Sequence, residues 1–296
     1  MPRKLQINHG MQVAVIDLEF AGAGRITHML KLVAFDLDGV IYRGAQILPH
    51  ALDAVFAIEE RRLLLRYVTN NATMHRTTLA QQLQSMGIPV KDEQVLGSAA
   101  ATATWLQGRF AAGSQVLALG ESGLLAELRE VGFAAQHVLD ASGDAAPVAV
   151  VVGLDRALNY KSLAAAQHFI MQGALFVATN TDATFPAEGR LLPGGGSVVA
   201  AVAAASGVDP VVIGKPGLGM AEVLRSTTGV DYPEILFVGD RLDTDIAMGV
   251  RAGMKTLLVL TGVHTRKHLA CSEVQPDFIL DDLAELPLLL DKAIQD

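Results

Sequence analysis

Four apolar runs in this chain stop abruptly at polar residues: Val33-Ala-Phe-Asp36-Leu-Asp38-Gly39, Tyr67-Val-Thr69-Asn70-Asn71, Ile213-Gly-Lys215-Pro216, and Phe237-Val-Gly-Asp240 with Asp245 just beyond. A strand buried on both faces of a parallel sheet reads as such a run, and its C-terminal end is where the sheet offers side chains to a ligand. The four ends supply carboxylates, a hydroxyl and an ammonium. That set suits a phosphoryl group handled together with a divalent metal.

Strands and helices alternate around these runs. The pattern predicts strands at 31–36 and 63–69, helices at 49–62, 76–86 and 98–109, and Ser98 as the N-cap of the last. After Lys215 it predicts helices at 217–227 and 244–251 and strands at 235–238, 256–260 and 278–280. A middle block has its own alternation, with strands at 115–119, 148–152 and 175–178 and helices at 123–131, 161–171 and 197–205. Strand-helix alternation means an α/β protein with a parallel, Rossmann-like sheet covered on both faces. Small-residue turns at 111–114 and 206–210 bracket the middle block and can serve as hinges. The expected organisation is a core of residues 29–111 and 210–296, an inserted α/β domain at 112–209, and an N-terminal extension at 1–28. The extension holds a possible strand at 13–16 and a Gly22-Ala-Gly24 turn that lacks the third glycine of a dinucleotide fingerprint.

Composition narrows the function classes. Hydrophobic residues make up 51% of the 296 positions and charged ones 18%, enough for a sizeable core and too apolar for global disorder. Aromatics are only 5% and the net charge is −8 with no basic run, which argues against a nucleic-acid or anionic-membrane partner. The most apolar stretches are cut by Gly or Pro before reaching the length of a membrane span. The single cysteine, Cys271, has no internal disulfide partner and fits a reducing, cytoplasmic setting.

The residues at the strand ends have definite chemical capacities. Asp36 can attack phosphorus to give an aspartyl phosphate, and Asp38, two residues on, can protonate the departing alkoxide and then deprotonate water. Gly39 allows the tight turn that follows. Thr69 and Asn70 can hold phosphate oxygens, and Lys215 can neutralise both phosphate and the attacking carboxylate. Asp240 and Asp245 make a hard-oxygen site suited to Mg²⁺, while Asp243 between them faces solvent or caps the helix. Four acids in one site are costly without a cation, which itself argues for a metal.

In their joint order these motifs resemble those of the haloacid dehalogenase superfamily phosphatases, over Met29 to about Leu283. Asp36-Leu-Asp-Gly-Val-Ile-Tyr-Arg-Gly44, Thr69-Asn-Asn71, the long insert and Leu192-Pro-Gly-Gly-Gly-Ser197 are similar to the subgroup with a large α/β cap of the C2 type. That subgroup holds NagD-type nucleotide phosphatases and the p-nitrophenyl, phosphoglycolate and pyridoxal phosphatases. The resemblance implies Asp36 as nucleophile, Asp38 as general acid/base, and Thr69, Asn70 and Lys215 as phosphate binders. It implies Mg²⁺ held by Asp36, the Asp38 backbone carbonyl and Asp240, with Asp245 orienting the metal's waters. The cap would select the leaving group of a small-molecule phosphate ester through Asn180, Asp182 and Phe185, and caps of this type often pair into homodimers. Phe185 stands where pyridoxal phosphatases carry a histidine, which turns the resemblance away from pyridoxal phosphate.

Two other classes use related parts. A receiver-type signalling domain also arranges Asp, Thr, Lys and Mg²⁺ around an acyl phosphate, but its first motif is an adjacent acid pair and it needs far fewer residues. A non-catalytic ligand-binding relative would not need the full catalytic set. His264 and His268 have helical spacing without the glutamate of a zinc protease and are expected at a solvated loop-helix junction. Gly120-Glu-Ser122-Gly123 is too short by one residue for a nucleophile elbow. His50, His75, His137 and His168 have no partner legible in the sequence.

Overall fold

A computed structural model describes residues 29–142, 145–187 and 190–295. The expected extension at 1–28, with its strand and glycine turn, lies outside the described residues.

Fifteen strands form two parallel sheets and two small hairpins among the described residues. In chain order they are β1 (Leu32–Phe35), β2 (Tyr42–Arg43), β3 (Gln46–Ile47), β4 (Leu64–Thr69), β5 (Val95–Gly97), β6 (Gln115–Leu119), β7 (Ala134–His137) and β8 (Ala149–Val152). They continue with β9 (Leu175–Ala178), β10 (Thr184–Ala187), β11 (Arg190–Pro193), β12 (Val211–Val212), β13 (Ile235–Gly239), β14 (Lys255–Val259) and β15 (Phe278–Leu280). The helices are α1 (Ala51–Glu60), α2 (Arg76–Ser85), α3 (Ser98–Gln107), α4 (Ser122–Glu130), α5 (Tyr160–Met171), α6 (Gly195–Ser206), α7 (Leu218–Thr228), α8 (Ala247–Ala252), α9 (Arg266–Ala270) and α10 (Leu286–Gln295).

The first sheet runs β15-β14-β13-β1-β4-β5, all pairs parallel, with β1 at its centre. All four β1 residues are buried because both faces are covered. Leu32 and Ala34 join one apolar cluster with α3 and α7, while Val33 and Phe35 join another with α1 and α10. This period of two across a doubly covered sheet is why the strand reads as an unbroken apolar run.

The second sheet, β12-β9-β8-β6-β7, is also parallel. Leu117, Leu119, Val150 and Val152 face α5 and α6, whereas Val116, Ala118, Ala149 and Val151 belong to the same cluster as α3 and α7 of the first sheet. Much of the helix surface in this cluster is small, Ala99, Ala100, Ala101 and Ala103 in α3 among it, beside the larger Trp105. One apolar cluster therefore passes between the sheets without a break. Among the described residues no helix is long and apolar enough to cross a membrane.

The structure departs from the sequence reading in several places. Val211–Val212 pairs with β9, so the second sheet continues past the junction expected at 209/210, and Lys215 follows an edge strand of that sheet. Ser98 is not an N-cap: β5 runs straight into α3, Gly97 takes the cap position, and the Ser98 hydroxyl donates to the Asn70 carbonyl at 2.7 Å. The helix expected at 244–251 opens as a π turn over Leu242–Ile246 before α8 begins. The β10–β11 hairpin was not foreseen, because Pro186 and Pro193 demote both strands in a propensity reading.

A buried ionic contact ties α4, beside the second sheet, to the start of α2. Glu127 is 1% exposed and accepts the Arg76 backbone N–H at 2.7 Å and its guanidinium Nε at 2.9 Å, with a further contact from Nη2. His75 meets Glu130 at 2.5 Å beside it. A Cβ on Gly123 would lie 2.4 Å from the Thr73 carbonyl, so glycine is what lets α4 come this close. Removing one partner leaves the other charge buried and unpaired. Arg76→Ala should cost on the order of 3 kcal/mol in urea unfolding, and Arg76→Met with Glu127→Leu should restore most of it. A single-mutant loss under about 1 kcal/mol would mean that water screens the pair.

Candidate active site

Asp36 directly follows β1, and Asp240 directly follows its neighbour β13. Thr69 ends β4 on the other side of β1. Three of the four motifs thus meet at one edge because their strands are adjacent, the usual place for a ligand in an open parallel sheet. Lys215 reaches the same point from the second sheet.

The Lys215 ammonium is 3% exposed and lies 2.5 Å from Asp36 Oδ1, 2.8 Å from Asp245 Oδ1 and 3.3 Å from the Val68 carbonyl. Burial alone would lower its pKa, but the Asp245 and Asp36 carboxylates outweigh burial and hold it above the ordinary lysine value. Burial pushes the Asp36 carboxyl up to about 7, with Lys215 pulling it down and Asp245 pushing it up. Asp240 is pushed up to about 8 by burial and by the neighbouring Asp245 and Asp36 charges, against the Val263 N–H that it accepts. Asp38 is more exposed, and burial of its carboxyl raises its pKa while Arg43 opposes the rise.

Asp36, Asp240 and Asp245 bring carboxylate oxygens within 4.8 Å of one another. Three carboxylates share one contacting lysine in a low-dielectric setting, and burial first, then their mutual repulsion, raises the pKa of Asp36 and Asp240. The donors are all hard oxygens, which fits Mg²⁺. The cradle around Asp240 has the same sense. A Cβ on Gly262 would sit 1.9 Å from Asp240 Oδ2 and one on Gly39 would sit 2.6 Å from it, and Gly39 has φ +84. Asp245 is oriented differently: its Oδ2 accepts the N–H groups of Asp240 and Arg241 at 3.2 and 3.0 Å, and its Oδ1 faces Lys215. The π turn carries Asp245 back over the strand end to make these bonds.

Above this floor lies a cavity of about 310 Å³. Asp36, Asp38, Thr69, Asn70, Lys215, Asp240 and Asp245 share it with Asn180, Asp182 and Phe185. Their parts differ from expectation in one respect. The Asn70 side chain is a clasp: its Oδ1 accepts the Lys215 N–H, and its Nδ2 donates to the Lys215 carbonyl and to Asp182 Oδ2, all at 2.9 Å. Asn180, 5% exposed, donates to the Asn70 carbonyl at 2.9 Å and accepts the Asp182 N–H at 3.1 Å. Asn70, Asn180 and Asp182 therefore join the two sheets, while half-buried Phe185 borders the open space. The Thr69 hydroxyl accepts the Asn71 N–H at 3.2 Å.

The sequence reading missed Arg156, Arg241 and Tyr42, which also line the cavity. Arg156 had a signal of the same kind as the four motifs, since β8 is an apolar run that ends in Gly153-Leu-Asp155-Arg156. Arg241 is paired with Asp243 through contacts of 3.0 and 2.8 Å, so Asp243 spends its charge there. His264 is no mere solvated junction: its Nδ1 accepts the Leu242 N–H at 2.8 Å and its backbone N–H donates to the Asp240 carbonyl at 3.2 Å. Two further histidines have polar partners, His137 with Asp155 at 3.1 Å and His50 with Asp53 at 3.4 Å.

Comparison with known proteins agrees with this geometry. Residues 33–134 match the family signature of haloacid dehalogenase-like hydrolases, and residues 212–286 match the HAD-hydrolase-like signature. A 5′-nucleotidase of Bacillus subtilis, YutF, is 37% identical over 250 residues, covering 84% of this chain and 94% of the relative. The crystal structure of a 4-nitrophenylphosphatase from Thermotoga maritima superposes with a TM-score of 0.80 at 31% identity, covering 88% of this chain and 97% of that one. A glycerol phosphate phosphatase from Mycobacterium tuberculosis, solved in complex with magnesium, gives 0.78 at 34% identity, covering 95% and 79%. The chain belongs to the haloacid dehalogenase-like hydrolases and, within them, to the phosphatases.

Proposed function

We propose that the protein is a Mg²⁺-dependent phosphomonoester hydrolase of a small cytosolic metabolite, acting through an aspartyl phosphate on Asp36. The observation that carries this reading is the buried Asp36 carboxylate, 2.5 Å from the Lys215 ammonium at the floor of an open cavity. Lys215 draws charge off Asp36 and would pair with phosphoryl oxygens as they approach, so that two anions can meet. The Thr69 hydroxyl at the cavity wall would take a further phosphate oxygen. An Asp36 oxygen then forms the bond to phosphorus as the ester P–O bond breaks, and Asp38 gives its proton to the leaving oxygen. Asp38 next removes a proton from water, whose oxygen displaces Asp36 and releases inorganic phosphate. The pKa of Asp38, raised by burial, suits a group that must both give and take a proton.

Asp36, Asp240 and the Asp38 backbone carbonyl would hold the cation directly. Asp245, whose Oδ2 is committed to two backbone amides, would orient its waters. When bound, the cation supplies positive charge that polarises the phosphoryl oxygens and offsets the crowded acids. The second sheet, with residues 112–209 and on to Val212, acts in this reading as a cap that meets the leaving group. The relatives' named activities, on nucleotides, 4-nitrophenyl phosphate and glycerol phosphate, support a small phosphate ester of this general kind.

Asp36→Asn keeps the shape and removes the attacking oxyanion. Phosphate release from 4-nitrophenyl phosphate should fall by about a thousandfold or more, equivalent to ~4 kcal/mol of barrier. Retention of a tenth of the rate would mean that water attacks directly. Chelation should abolish turnover, and Asp240→Ala should raise the Mg²⁺ concentration for half-maximal rate at least tenfold, as a direct ligand is lost; full activity in chelator would end the metal-dependent reading. Pairing of two chains through the cap is part of the same proposal. Sedimentation velocity should show a dimer at micromolar concentration, and a monomer throughout would remove it.

A further inference from the structure

Among the described residues, three cationic side chains line the cavity, Lys215, Arg241 and Arg156. Two of them are closely matched. Lys215 sits between Asp36 and Asp245, and Arg241 makes a two-point contact with Asp243. Arg156 is held differently. Its side chain is 63% exposed, and its ion pair with Glu121 spans 3.4 Å, longer than an ordinary hydrogen bond and weakened by solvent. Glu121 Oε1, the atom facing it, is buried and makes no hydrogen bond among the described residues.

The turn that carries Arg156 is nevertheless firmly built. Asp155 is 7% exposed; its Oδ1 accepts the Ala157 N–H at 2.8 Å and its Oδ2 meets His137 Nε2 at 3.1 Å. Asn159 closes the turn by accepting the Lys161 and Ser162 N–H groups at the start of α5, at 3.0 and 3.2 Å. A Cβ on Gly153 would lie 2.8 Å from Thr179 Oγ1, so the chain leaving β8 is packed against β9's end. A rigid turn places the guanidinium's base at the cavity wall, so that only the side chain has to be ordered when a ligand binds.

Arg156 comes from the second sheet, whereas the acids and Thr69 come from the first. A phosphoryl group seated on Asp36 and Lys215 would leave the second-sheet wall to the rest of the substrate. We propose that Arg156 determines specificity by receiving a second anionic group, a carboxylate or a phosphate, on the leaving portion of the ester. The planar guanidinium fork matches either anion through two parallel hydrogen bonds, where a lysine would offer only a point charge. This inference rests on the phosphatase reading above.

The test compares kcat/KM of the wild type, R156A and R156K on four esters, with phosphate release as readout. Phosphoglycolate and a sugar bisphosphate carry the second anion; ethyl phosphate and the matching sugar monophosphate lack it. The wild type should favour one or both anion-bearing esters over their partners, and added KCl should reduce that preference. In R156A the preference should fall by about tenfold or more, the range of a charge-assisted hydrogen bond, with R156K recovering part of it. Loss confined to the phosphoglycolate pair identifies a carboxylate, and loss confined to the sugar pair a phosphate. An unchanged ratio in R156A, or equal loss on all four esters, would overturn the proposal and leave Arg156 a brace for Glu121. No phosphate release from any ester by the wild type would instead remove the phosphatase reading, and this inference with it.

Discussion

The buried Lys215 ammonium governs how the rest of the site can be arranged. It contacts both Asp36 and Asp245, and without it those carboxylates would face each other in a setting that solvates neither. Burial, with the repulsion between neighbouring carboxylates added, lifts Asp36 and Asp240 well above the usual carboxylate range despite the lysine's attraction. The imbalance has chemical value. A site that is short of positive charge when empty is complementary to a divalent cation, and with the cation in place it can accept a phosphoryl dianion.

That lysine is also where the two sheets depend on each other. Lys215 follows an edge strand of the second sheet, yet its ammonium lies beneath the first sheet's C-terminal edge. Asn70, from the first sheet, grips the Lys215 backbone at both N–H and carbonyl, and Asn180 and Asp182 extend the same network. The apolar cluster around α3 and the Arg76–Glu127 contact hold the sheets together from behind. The relative position of the two sheets is thus fixed in part by bonds that pass through Lys215 itself. Separating the two sheets at this point would break that network.

The sequence by itself determined the strand ends. Asp36, Thr69 and Asp240 were legible because each closes an apolar run, and doubly buried strands leave such runs whatever surrounds them. Parallel pairing, the α/β class and the likeness to the phosphatases followed from the same runs in their order. Local hydrogen bonding, by contrast, escaped a reading that works on periodicity. Ser98 has the sequence mark of a cap yet serves the Asn70 loop, and the π turn that aims Asp245 leaves no mark distinct from that of an ordinary helix start. What only tertiary structure decided was partnership between residues far apart in the chain: the clasp role of Asn70, the brace at His264, the Glu127 contact and the place of Arg156 on the cavity wall. The physical reason is that burial of a strand is written in its own residues, whereas a side-chain partner depends on how two sheets, joined by loops of little pattern, come to face each other.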